Sequence, residues 1–238
     1  YSNGSASSVN LIMDGGQNDD TWIFQNNWGQ VDNITDTGGG QDTLDFSNVT
    51  YRVRVVIGSP NTTNPELEQV LISQDVATAN TNAQNPLTGG ANTAISLGNT
   101  IEHLIGGMES DSFNFMDGAI LARNDQVTAA TIDGYAGTAD LLNYTAYTTS
   151  VTVNLSLFQA TGVGATVTNI ENITGGYGDD SLTGDANSNA INGRQGTDIL
   201  TGLAGDDYYQ FVDGWGFDTV VEAAGEGIDT ITFYAYTG

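Results

Sequence analysis

The sequence has no cysteine, no lysine, a single histidine and only three prolines in 238 residues. Without cysteine there is no disulfide framework and no zinc–thiolate site. The only cations are Arg52, Arg54, Arg123 and Arg194, against 29 acidic residues, which gives a formal net charge of −25. Such a field repels nucleic acid and anionic lipid, so neither is expected as a partner. No apolar run approaches the ~18 residues that a membrane-spanning helix needs, so no membrane insertion is expected. The chain opens at Tyr1 with neither an initiator Met nor a signal pattern, the expectation for a mature or trimmed product.

What is present is glycine, 31 residues of it, with 9% aromatics and 39% apolar residues. An acidic, glycine-rich chain reads at first as disordered, but the aromatics and the regular Val/Ile/Leu spacing argue against that. The length suits one large all-β domain or two small ones. A charge this negative opposes compaction unless something neutralises it, and divalent cations are the obvious agent.

The repeat region supplies the reason. Residues 175–210 read GGYGDDSLT, GDANSNAIN, GRQGTDILT and GLAGDDYYQ. Asp180, Asn189, Asp198 and Asp207 recur every nine residues, and Leu182, Ile191, Leu200 and Tyr209 follow two places after each. Two more turns follow at a spacing of eleven, with Asp218 before Val220 and Asp229 before Ile231. Glycine permits the tight positive-φ turn, and each short segment after the Asp is a strand with one inward apolar side chain. Two nonapeptides make one coil, so turns 18 residues apart stack, Asp180 on Asp198 and Asn189 on Asp207. Stacked carboxylates and turn carbonyls form an oxygen cage of the kind that calcium takes. Without a cation the same stacking sets like charges close together, which is unfavourable.

These residues resemble the RTX (hemolysin-type) calcium-binding repeat of secreted bacterial proteins, GGxGxDxUx, a known β-helix motif. The resemblance implies a parallel β-roll or β-solenoid with calcium-binding Gly-Asp turns and several Ca2+ ions. It also implies an extracellular location and a chain that folds only where calcium is plentiful. In the repeats the implied ligands are Gly176, Gly178, Asp179, Asp180, Asn189, Gly196, Asp198, Gly205, Asp206, Asp207, Asp218 and Asp229. Asn189, Arg194 and Leu203 depart from the motif, and Arg194 is expected to offer a guanidinium to the carboxylates in place of an ion.

Similar turns lie upstream, where Asp20 precedes Trp22, Asp42 precedes Leu44, Asp111 precedes Phe113 and Asp140 precedes Leu142. These four aspartates complete the predicted ligand set. A larger duplication overlies them. Residues 42–46 and 53–57 match 140–144 and 151–155 at an offset of 98, whereas 100–107 match 169–176 at an offset of 69. The first unit therefore carries 29 extra residues (98 − 69), within 58–97. That stretch reads as an irregular surface loop with a short helix over 65–73, capped by Asn64. The expected organisation is an N-terminal unit, 1–135, with this insertion, and a C-terminal roll, 136–238.

A third unit opens at Asp229, offset by 187 from Asp42, and its Val-rich strand would start at position 240. The N-terminal segment 8–13 is similar to 153–155. An uncapped solenoid end invites pairing. The expectation is a heterologous, head-to-tail contact between copies that propagates as a filament. The alternatives are a fragment cut from a longer array and a self-capped monomer.

No catalytic constellation is legible, and the chain is not expected to be an enzyme. His103 aligns with Asn172, which predicts a solvent-facing or turn-lining role. The Asp-Asp pairs sit in turn positions that calcium ligation already explains, and Arg52 with Arg54 makes a weak case for a lyase. The aromatic cluster of Tyr208, Tyr209, Phe211, Trp215, Phe217, Phe233, Tyr234 and Tyr236 reads as a cap or an interface, with carbohydrate stacking a third option. The functional expectation is a secreted calcium-binding structural protein that assembles into a filament or surface layer. The alternative is an adhesin segment or the C-terminal module of a larger secreted enzyme.

Overall fold

The computed structural model describes residues 12–26, 30–35, 40–58, 69–74, 93–97, 101–121, 130–212, 214 and 216–234. Among them the chain is all-β, with one short 3-10 turn at Leu155–Leu157. No helix there is long and apolar enough to cross a membrane. The strands form one long sheet and two short ones.

The long sheet runs through β1 (Ile12–Asp14), β3 (Gln30–Thr35), β7 (Thr93–Leu97), β6 (Gln69–Gln74), β5 (Val53–Ile57), β9 (Ser112–Phe115), β11 (Leu141–Asn143), β15 (Asn172–Thr174), β17 (Ala190–Asn192), β19 (Tyr208–Val212) and β21 (Thr230–Tyr234). One short sheet holds β2 (Thr21–Gln25), β4 (Thr43–Asn48), β8 (His103–Ile105), β10 (Thr131–Asp133) and β14 (Thr166–Thr168). The other holds β13 (Gln159–Ala160), β12 (Thr152–Asn154), β16 (Ser181–Thr183), β18 (Ile199–Thr201) and β20 (Thr219–Val221). From β15 onward the chain alternates between the long sheet and the second short sheet, and every pairing there is parallel and in register. That path is consistent with a parallel β-solenoid.

The period-2 pattern explains it. Each three-residue strand points its middle side chain inward, so Leu182 and Leu200 stack on one side, and Leu142, Ile173, Ile191 and Tyr209 on the other. All six are buried to 1% exposure or less, which contributes about 1.5–3 kcal/mol per aliphatic side chain. Aromatic stacks extend the core upstream, with Phe24 on Phe46 at 4.4 Å and Phe115 on Tyr144 at 4.8 Å.

The duplicated segments adopt duplicated pairings. In the first unit β4 lies beside β8 and β5 beside β9. In the second β11 lies beside β15 and β12 beside β16. The segment inserted between the two strand pairs also begins alike, because β6 runs antiparallel to β5 and β13 antiparallel to β12. The predicted helix at 65–73 is therefore corrected. Residues 65–68 lie outside the described residues, and 69–74 form strand β6. The apolar run Val70-Leu71-Ile72 finds an open sheet edge in β5, and Ile72 is fully buried against the core. The inserted stretch is in this part a sheet extension.

Candidate metal centre

The turns that precede the strands stack with the strands, and their acids form ladders. Along the second short sheet, Val151 N donates to Asp180 Oδ1 (2.7 Å), Asp180 N to Asp198 Oδ1 (2.8 Å) and Asp198 N to Asp218 Oδ1 (3.0 Å). Along the long sheet, Val53 N donates to Asp111 (2.6 Å), Asp111 N to Asp140 (2.5 Å) and Asp140 N to Glu171 (2.8 Å). The same ladder resumes as Asn189 N donates to Asp207 (2.7 Å) and Asp207 N to Asp229 (3.1 Å). A third ladder, on the first short sheet, joins Asp20 N to Asp42 Oδ1 (2.9 Å) and Asp42 N to Glu102 Oε2 (2.7 Å). Each acid thus satisfies the backbone amide of the coil before it.

The motif glycines make room for this. Asp20, Asp111, Asp140, Asp180, Asp198 and Asp207 fold back over the first glycine of their own turns, and Asp180 Oδ2 accepts Gly176 N (2.8 Å) as Asp111 Oδ2 accepts Gly107 N. At Gly196, with φ at +131°, a side chain would strike the carbonyl of Gly178 in the coil above. At Gly205, with φ at +121°, it would come within 2.6 Å of Asn187 O. The predicted turn glycines therefore bring backbone carbonyls close to the carboxylate ladders. A second, exposed ladder runs beside the first. Asp179 accepts Thr197 N (2.8 Å), Asp206 accepts Ile228 N (2.9 Å) and Asp19 accepts Gln41 N (2.8 Å).

All sixteen predicted ligand positions sit in stacked turns, but the structure divides them. Asp42, Asp111, Asp140, Asp180, Asn189, Asp198 and Asp207 are buried, Asp20, Asp218 and Asp229 are half-buried, and Asp179 and Asp206 face solvent. Asn189 keeps the ladder position without a charge, spending Oδ1 on Asp185 N and Nδ2 on Glu171 O. Arg194 does not reach the carboxylates as expected. Its Nη1 donates to Thr145 O (2.9 Å), and its guanidinium lies 5.5 Å from the centroid of Tyr177. The ring and the carbonyl lie beside the turn in which Arg194 takes a positive φ, and they capture the head group.

Three acids were missed from the sequence. Glu102 and Glu171 stand at ladder positions, and their equivalence at an offset of 69 was a signal that could have found them. Glu222 follows β20 at the place where Gly184 and Gly202 follow β16 and β18. Its carboxylate turns into the stack and accepts the Tyr209 hydroxyl.

The electrostatics are those of acids with too few partners. Burial raises the carboxyl of Asp140 to about 8, and those of Asp111 and Asp198 to about 6. Burial also raises Asp180, Asp207 and Asp218, and neighbouring carboxylates add to the shift at Asp180 and Asp207. Asp20 Oδ2, Asp198 Oδ2, Asp207 Oδ2, Asp218 Oδ2 and Glu222 Oε2 are buried without a hydrogen-bond partner. Asp207, Glu222 and Asp229 each place one carboxylate oxygen within 4.8 Å of the others. An all-oxygen, anionic donor set with orphaned buried oxygens fits a hard divalent cation such as calcium, and the buried acids with this cluster could hold metal ions. His103, half-exposed on β8 with Nδ1 2.7 Å from Thr131 Oγ1, stands apart from the acids of this cluster. Burial lowers its pKa. Neither the protein-family models nor the curated proteins contain a match to this chain.

Proposed function

We propose that the chain is a secreted calcium-binding structural protein of the RTX type whose fold is completed by the ion, and whose copies join head to tail in an extracellular filament or surface layer. The observation that carries the first part is the set of orphaned oxygens on buried, stacked acids. Desolvated carboxylates are unfavourable unless protonated or paired with a cation. Asp198 with Asp218, and Asp207 with Glu222 and Asp229, would hold ions between coils, with turn carbonyls as further ligands. Calcium would supply the positive charge that lets successive turns stack. An ion that binds only the folded chain adds about 2.7 kcal/mol per site at a hundred times its Kd. A few sites then rival the ~5–15 kcal/mol net stability of a typical domain.

Far-ultraviolet circular dichroism tests this at pH 8. A strand spectrum in millimolar calcium is expected to collapse toward that of an unfolded chain on chelation, and a spectrum indifferent to chelation would overturn the reading.

The second part leans on the last described coil, whose inward positions Ile231 and Phe233 are 49% and 62% exposed. The same uncovered residues favour the second reading, a calcium-binding adhesin segment or the C-terminal module of a larger secreted enzyme, because a following coil of the same chain would cover them. Electron microscopy in calcium separates the two. Filaments support assembly, and discrete monodisperse particles at high concentration remove it.

A further inference from the structure

The charge is not spread evenly over the molecule. From β9 to β21 every outward-pointing side chain of the long sheet is an amide, a hydroxyl or an apolar group, in a chain of net charge −25. Within this neutral face lies a cavity of about 190 Å³, walled by Leu141, Asn172, Thr174, Ala190, Asn192 and Gln210. It exists because Ala190 lies in register between the longer side chains of Asn172 and Tyr208, leaving a gap in the row.

The wall is prepared for a neutral hydrogen-bonding ligand. Asn172 Oδ1 accepts Ala190 N (3.2 Å), and Asn192 Oδ1 accepts Arg194 N (3.0 Å). Their NH2 groups, and the whole Gln210 amide, make no hydrogen bond among the described residues. An anionic ligand is repelled by the molecule's field, and a cation finds no carboxylate on the wall. A purely apolar ligand would strand the amide donors, which is costly. A neutral polyol meets both the amides and the apolar floor.

We propose that this depression in the long sheet binds one ring of a neutral oligosaccharide, with neighbouring rings running across the open sheet. The volume lies below the roughly 300–1,000 Å³ of drug-sized pockets, which suits a single ring. The site uses none of the turn carboxylates, so it stands or falls separately from the ion reading.

The test is calorimetric titration of the protein in calcium with cellohexaose, maltohexaose and xylohexaose, and with hexagalacturonate as an anionic counterpart. Saturable binding of at least one neutral probe is expected, at about millimolar Kd or tighter, with none of the anion. Ala190→Trp fills the gap and is expected to weaken binding at least tenfold. Gln210→Ala removes a side chain with no internal hydrogen bond to lose and is expected to weaken it several-fold without altering the fold. No binding by any neutral probe, equal binding of hexagalacturonate, or an affinity untouched by Gln210→Ala would each overturn the proposal. Circular dichroism with chelator reads the calcium dependence independently.

Discussion

A buried carboxyl group can be kept neutral by a proton or balanced by a cation, and the ladder acids are poised between the two. Asp140 at about 8, with Asp111 and Asp198 at about 6, binds protons more tightly folded than unfolded, where an aspartate sits near 3.9. The stability tied to these protons is complete below about pH 4 and is lost as pH rises through 6 to 8. The metal-free chain is therefore expected to keep a melting transition at pH 5 that weakens as pH rises and is lost by pH 8, with calcium restoring the fold at the alkaline end. Thermal melts in chelator across that range check the slope, and a melting point that climbs with pH would contradict it. Asp207→Asn tests one rung. The amide can still accept Asn189 N, as Asn189 does for Asp185 N, but it removes a charge from the group with Glu222 and Asp229. The expected result is an unharmed or steadier metal-free fold and at least tenfold weaker calcium binding there, about 1.4 kcal/mol, read by calcium titration.

At the scale of the strand, the inserted stretch of the first unit is the informative element. Ile72→Ala is expected to destabilise the protein by about 2–5 kcal/mol in urea unfolding, because that side chain, paired in register with Val55 of β5, is buried in the core. A change within experimental error would mean that β6 is dispensable decoration. The sequence pattern showed the coils well, since glycine, acid and apolar residue recur at fixed spacing, and the duplication at offsets of 98 and 69 reappears as matching strand pairs. It did not show β6, because a six-residue stretch around the three apolar residues Val70-Leu71-Ile72 fits a turn and a half of helix as well as a strand, and only the open edge of β5 decides between them. Nor did it show Glu102, Glu171 and Glu222 as members of the stack. Glutamate lies outside the glycine-aspartate pattern, yet its longer side chain reaches the same amide from a turn of different shape.

For the whole molecule, the last described coil, with its exposed apolar side chains, is the feature with the widest reach. Phe217, Ile228, Ile231 and Phe233 are exposed there, and Phe233 stacks on Phe211 at 5.2 Å. Phe233→Asp is expected to abolish end-to-end association while leaving the calcium-dependent spectrum in place, as seen by electron microscopy and circular dichroism together. Filaments that persist in this variant would locate the contact elsewhere. Of the aromatic cluster read from the sequence, Trp215 and Tyr236 lie outside the described residues, whereas Tyr209 and Phe211 belong to the core. The inner ladder also gives the stack a sense of direction. Each aspartate or asparagine rung of the C-terminal coils hands its amide hydrogen forward, from Asp180 to Asp198 to Asp218, and from Asn189 to Asp207 to Asp229, whereas Glu102 N and Glu171 N donate back to Asp42 O and Asp140 O. Among the described residues the last rungs, Asp218 and Asp229, have no acceptor for their amides, while Asp20, the first rung, has a carboxylate oxygen without a donor. The first and last described rungs are thus unlike and complementary, so if copies join as proposed through these rungs they would add in only one orientation, and the polarity of such an assembly would be fixed by its amide bonds.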